Sequence, residues 1–194
     1  DLRYEGVNIP AIRSLDDSGQ VLYVASFSKI IAPGMRLGYI TAPPPILDKI
    51  GSIRSGSGVN EFAAMATHRY AMYHLDQHIT ELNNIFRIRR DAMLAALGES
   101  FGDSATWSTP EGGMYIWVKL PEGCNVVKAK KAALDAGVTY HDGTVYAPTG
   151  NSGANYMRLC FGYNKPEEIY QGVAILADVF ERNGVFESQS DLIP

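Results

Sequence analysis

Lys29 stands where amine chemistry is possible. It follows the apolar run Val21-Leu22-Tyr23-Val24-Ala25 and the segment Ser26-Phe27-Ser28, and it precedes Pro33-Gly34-Met35-Arg36-Leu37-Gly38-Tyr39. A lysine at the end of a buried strand can condense with an aldehyde, because desolvation and neighbouring cations lower such an amine's pKa toward neutrality. The flanking groups suit the phosphate of an aldehyde cofactor. Ser26 and Ser28 offer single hydroxyl donors, and Arg36 offers a rigid, permanently charged fork. Pro33-Gly34 gives the turn that brings Arg36 back toward Lys29. The plainer reading is a solvated lysine beyond two serines that merely end a strand.

A second candidate is Arg158, in the apolar run Tyr156-Met157-Arg158-Leu159-Cys160-Phe161. A buried guanidinium requires an anion, because leaving it unpaired is very costly. Taken alone, the residues favour an internal salt bridge with Asp or Glu. Other polar groups read as structural. His74 and His78 are four residues apart, but His-Leu-Asp-Gln-His lacks the glutamate that follows the first histidine in a zinc protease helix, so no metal site is expected. Arg87, Arg89 and Arg90 read as a solvated helix face. Tyr4, Tyr39 and Tyr115 read as core or strand residues, and Gly112-Gly113 as a tight entry to a strand.

The elements that must position these groups follow from periodicity. Val21–Ser26 reads as a buried strand after a Ser18-Gly19 turn, and residues 36–41 as a second strand ended by Pro43-Pro44-Pro45. A short helix is expected over about residues 46–55, then a flexible break at Ser55-Gly56-Ser57-Gly58. Residues 60–97 carry apolar groups at three- and four-residue spacing without Gly or Pro, which predicts a long helix stopping at Gly98. Beyond it the pattern is α+β. Strands are expected over 114–120 and 156–161, with short extended pieces at 138–141 and 145–147. Helices are expected over 126–136, stopped by Gly137, and from Pro166 to about Asn183, stopped by Gly184. The tail 187–194 is expected to fray.

The chain has 194 residues and a net charge of −4. It has no basic patch to suggest nucleic acid and no apolar run approaching the ~20 residues of a membrane span. Its N-terminal residues look like neither a signal nor a transit peptide. Cys124 and Cys160 are too few and too far apart for a disulfide framework, so a reduced, cytoplasmic setting is expected.

Ser26 to Tyr39 resembles the pyridoxal-phosphate lysine motif of fold-type-I, class I/II aminotransferases, in the branch of 2-aminoadipate and kynurenine aminotransferases and MocR-type regulators. Pro110-Glu111-Gly112-Gly113-Met114-Tyr115-Ile116-Trp117 resembles that family's Gly-Gly-Met-aromatic-x-Trp strand. Tyr156 to Phe161 resembles its carboxylate-arginine strand. The three fall in family order and cover nearly the whole chain.

The resemblance implies an α/β fold with an α+β C-terminal subdomain. Residues 1–58 would be a remnant of the large cofactor domain, 59–98 a linking helix and 99–194 the small domain. A comparable length of chain is expected upstream. Asp1-Leu2-Arg3-Tyr4 only imitates the Asp-x-x-Tyr spacing that binds the cofactor ring. It lies too near Lys29, and the true pair is expected before residue 1. In this reading Lys29 anchors pyridoxal 5'-phosphate and acts as general acid/base. Ser26, Ser28 and Arg36 hold the phosphate, and Arg158 takes the substrate α-carboxylate. The implied activity is transamination between an amino acid and a 2-oxo acid by a homodimer. The isolated 194 residues are expected to be poor catalysts. The alternatives are the effector domain of a MocR-type regulator, a fold-type-I lyase or decarboxylase, or a structural fragment. One departure stands out: Asp142-Gly143 precedes Tyr146 where relatives often carry Pro-Gly.

Overall fold

The computed structural model describes residues 2–56, 58–149 and 152–186. Asp1, Ser57 of the expected break, and the expected frayed tail 187–194 lie outside the described residues. The chain divides into two compact units, residues 1–82 and 83–194.

In the first unit, β1 (Tyr23–Ser26) and β2 (Gly38–Thr41) form a two-stranded antiparallel ribbon, in register from Tyr23↔Thr41 to Ser26↔Gly38. Both strands are shorter than the sequence suggests. The ribbon is also far from buried: Val24 is 70% exposed, and among the described residues Leu37 is the single apolar side chain of this unit in the buried class. Two strands alone cannot cover both faces of a hydrophobic run. After Pro43, α1 (Pro44–Ile53) begins with proline in its first turn, where the missing N–H is not needed.

Helix α2 (Glu61–Phe101) belongs to both units and runs four residues beyond its expected end. Gly98 sits inside the helix, at a cost of about 1 kcal/mol relative to alanine. Continuing past it buries Phe101 beside Leu97, at 4% and 0% exposure, and burying one such side chain contributes about 1.5–3 kcal/mol. The helix ends at Gly102, whose φ of +48° most side chains avoid.

The second unit is built on an antiparallel sheet in the order β3-β4-β6-β5. β3 (Thr106–Trp107) is a short edge strand that the periodicity did not reveal. β4 (Tyr115–Lys119) and β6 (Tyr156–Cys160) pair along their whole lengths, with Tyr115↔Cys160, Trp117↔Arg158 and Lys119↔Tyr156 opposite one another. Strand alternation sends Ile116, Val118, Met157 and Leu159 to the buried face and Tyr115, Trp117 and Arg158 to the other. The expected helix over 126–136 is a 3-10 turn followed by α3 (Lys130–Asp135). β5 (His141–Asp142) pairs with β6 through only two residues. The expected strand at 145–147 is instead largely a 3-10 turn, Gly143–Tyr146. α4 (Pro166–Arg182) starts with Pro166 at its first position, and the Lys165 N–H donates to Glu168 Oε2 at 2.8 Å. It buries Ile169, Val173, Leu176 and Phe180, a stripe at helical spacing that completes the core.

Candidate functional site

Two groups of predicted residues occupy different units. In the first unit, Ser26, Ser28, Lys29 and Arg36 lie on one loop, and the strand pairing explains its shape. Ser26↔Gly38 is the last ribbon pair, and the Phe27 N–H donates to the Leu37 carbonyl at 3.1 Å. That closes a neck. A Cβ at Gly38 would lie 2.7 Å from the Ala25 carbonyl oxygen, so the neck requires glycine there. Directly beyond it, the Ile31 N–H donates to the Phe27 carbonyl at 2.9 Å, placing Lys29 on a single helical turn.

The hydroxyls of Ser26 and Ser28 are 2.9 Å apart, and the Ser28 N–H donates to Ser26 Oγ at 3.0 Å. Pro33–Met35 forms a 3-10 turn, after which Arg36 adopts φ 51°, ψ 40°. Among the described residues it is the one non-glycine with positive φ. Its guanidinium donates to the Pro33 carbonyl at 3.1 Å. Among the described residues no carboxylate pairs with Lys29 or Arg36, and both are exposed. Two hydroxyls, an ammonium and a guanidinium with no internal anion make a donor set suited to a phosphate.

In the second unit, Arg158 lacks the carboxylate partner expected of a buried arginine. It is half-buried, and among the described residues it makes no ion pair. Its guanidinium carbon lies 4.0 Å from the centroid of the Tyr115 ring and 5.0 Å from that of Tyr146. Tyr115, read from sequence as structural, is thus a direct neighbour of the candidate arginine. Trp117 meets Tyr146 edge-on at 5.6 Å and stacks on Tyr156 at 5.7 Å. Arg158 and Tyr115 line a cavity of about 420 Å³, together with His141, Cys160, Asn164 and Glu168.

The turn carrying Tyr146 is held from below. Asp142 is 3% exposed and accepts from Lys130 Nζ at 2.7 Å and from the Thr144 hydroxyl. Burial alone would raise its pKa, but these two hydrogen bonds and the lysine charge outweigh that and lower it. Asp142 therefore has a structural role at the base of this turn. Below it, Gly143 touches Gly153. A Cβ on Gly153 would lie 2.8 Å from the carbonyl carbon and oxygen of Gly143, and Gly153 has φ +87°.

Of the expected solvated face of Arg87, Arg89 and Arg90, Arg87 is exposed as expected but the other two need correction. Arg90 is 4% exposed, with Nη1 donating to the Pro110 carbonyl at 2.8 Å. Arg89 donates to the Gly162 carbonyl at 2.6 Å. Both fasten the helix to the entries and exits of the sheet, where carbonyls lack strand partners. His74 and His78 pack against Tyr70, at ring separations of 5.3 and 5.6 Å. Among the described residues no cluster of three metal-ligating side chains occurs.

Residues 3–174 match the family model described as aminotransferase class I and II. The chain is 36% identical over 184 residues to aromatic-amino-acid aminotransferase 1 of Thermococcus litoralis, covering 93% of this chain and 44% of that protein. Two HTH-type transcriptional regulators of Bacillus subtilis are each 28% identical, over 165 and 187 residues. The fold superposes on a multiple substrate aminotransferase from Thermococcus profundus with a TM-score of 0.86 and 37% identity, over 94% of this chain and 46% of that one. It superposes on the α-aminoadipate aminotransferase LysN of Thermus thermophilus, crystallised with N-(5'-phosphopyridoxyl)-L-leucine, with a TM-score of 0.87 and 25% identity, over 93% and 48%. The chain thus spans less than half the length of these relatives.

Proposed function

Because the chain belongs to the class I and II aminotransferases, we propose that its parent protein exchanges an amino group between an amino acid and a 2-oxo acid with pyridoxal 5'-phosphate. The observation that carries this reading is a pair of cationic sites that pair with no carboxylate among the described residues, one on the loop around Lys29 and one at Arg158.

The residues present fit the cofactor. Ser26, Ser28 and Arg36 would hold its phosphate, and Lys29 would hold it covalently. When bound, the cofactor supplies an electron sink for the carbon bearing the amino group. The chain's own part is then threefold. The Lys29 amine would serve as the general acid/base for the proton on the substrate α-carbon. Arg158 binds the α-carboxylate through two parallel N–H donors and so fixes the orientation of the substrate it holds. The ring-lined face at Arg158 limits water around that ion pair, which strengthens it.

Cytoplasmic location and a homodimer complete the proposal. Both described cysteines are free, which suits a reducing compartment. Among the described residues no helix is long and apolar enough to cross a membrane.

A second reading is the effector domain of a transcription regulator, supported by the regulators among its relatives. One experiment separates the two. The full-length parent is loaded with pyridoxal phosphate, reduced with borohydride and mapped by peptide mass. The cofactor's mass is expected on the peptide containing Lys29 and absent in Lys29→Ala. The unreduced protein is then offered amino acids. Release of a 2-oxo acid supports the transaminase, a loaded lysine without turnover supports the regulator, and an unlabelled Lys29 peptide overturns both.

A further inference from the structure

Arg158 poses a physical problem. A carboxylate-binding arginine must be held in one orientation, yet every hydrogen bond that holds it removes a donor from the ligand. An internal Asp or Glu would orient the guanidinium and neutralise it. The structure uses rings instead. A guanidinium lying over an aromatic face is attracted by the ring's electrons, while its in-plane N–H groups remain at the edges. Tyr115 supplies one face at 4.0 Å from rigid β4, and Tyr146 a second at 5.0 Å from a turn outside the sheet.

Tyr146 is the adjustable member of this pair. It is 44% exposed, and no strand pairing fixes it. Its place depends on three contacts: Trp117 edge-on at 5.6 Å, His141 at 6.4 Å, and the turn's anchorage through Asp142 and the touching glycines. Trp117 and His141 are also the cross-strand partners of Arg158 on β4 and β5. Tyr146 therefore bears on the guanidinium and on the side chains at both its flanks.

We propose that Tyr146 is a positioning residue that holds the Arg158 guanidinium, with its donors free, for the carboxylate of a 2-oxo or amino acid. The proposal rests on reading Arg158 as the carboxylate anchor. Removing the ring leaves Arg158 charged and held on one face only, by Tyr115, so carboxylate binding weakens without being abolished. A phenylalanine keeps the face and restores it.

The test uses this chain without cofactor. Trp107→Phe leaves Trp117 as the sole tryptophan, whose emission reports the neighbouring ring cluster during titration with 2-oxoglutarate. Nitrogen-15 spectra follow the Arg158 Nε–Hε resonance, which the two rings shift. Tyr146→Leu is expected to raise the titration midpoint about tenfold, the size of one cation–π contact, and to move the resonance toward that of a free arginine. Tyr146→Phe is expected to stay within about twofold of the parent on the same scale. A Tyr146→Leu midpoint or resonance unchanged from the parent overturns the proposal. Failure of the underlying reading looks different. Arg158→Ala then titrates like the parent, or the parent gives no saturable change, while the resonance still reports the ring contact.

Discussion

Arg36 combines a backbone cost with a proposed phosphate-binding role. An L-residue in the left-handed region is disfavoured by about 1 kcal/mol or more, and Arg36 sits there at φ 51°. Nothing in its contacts requires arginine, since its hydrogen bond to Pro33 is exposed. Arg36→Gly is therefore expected to leave folding stability unchanged or raised by up to about 1 kcal/mol, because glycine's greater unfolded-state entropy offsets part of the relief. Pyridoxal-phosphate affinity should fall in the same variant. Urea melts and cofactor titrations of the two proteins check this. A fall in both would mean the guanidinium supports the loop itself. The candidates Lys29, Ser26, Ser28, Arg36 and Arg158 stand out in the sequence as polar residues set in or against apolar runs. Tyr146 and Tyr115 do not, because a tyrosine's partner lies on another strand or turn and leaves no local trace.

Among the elements, the turn from Asp142 to Tyr146 is the one on which Arg158's surroundings depend. Its base has no room for a methyl group, because Gly153 meets Gly143. Gly153→Ala adds both a clash and a strained φ, and is expected to destabilise the second unit by about 2–3 kcal/mol. A urea melt gives the value, and Trp117 emission would report the displaced Tyr146.

Asp142 makes the same turn acid-sensitive. Its pKa is lowered on folding, so its stabilising contribution is complete above the ordinary carboxylate value of 3.8 and is lost as pH falls below it. The difference in stability between wild type and Asp142→Asn should thus be largest near about pH 7 and shrink toward about pH 3. A gap independent of pH would show that the carboxylate's charge contributes nothing. The family resemblance marked Asp142-Gly143 as a departure, and nothing local in the sequence explains it. The pairing with Lys130 spans twelve residues and depends on how α3 packs. The element type at 145–147 was misread for a related cause: three residues are too few for periodicity to separate an extended piece from a 3-10 turn.

Across the molecule, stability is distributed unevenly. Nearly every buried apolar side chain among the described residues lies between Phe86 and Val185, whereas Leu37 is alone in the first unit. Amides of β4 and β6 are expected to exchange hydrogen only with global opening of their unit. Those of β1 and β2 should exchange orders of magnitude faster. Mass-spectrometric exchange on this chain measures both, and equal protection would contradict the prediction. The helical and sheet pattern of the second unit was readable because strict alternation and the 3.6-residue stripe each face one core. The first unit misled, since an apolar run such as Val21–Ala25 signals burial but cannot say what does the burying.

Gly143 and Gly153 touch, so two points ten residues apart in sequence are held together. Closure entropy grows only slowly with length, by about 0.6 kcal/mol per doubling. A reporter peptide placed after exposed Pro148 would therefore label the protein at little energetic cost.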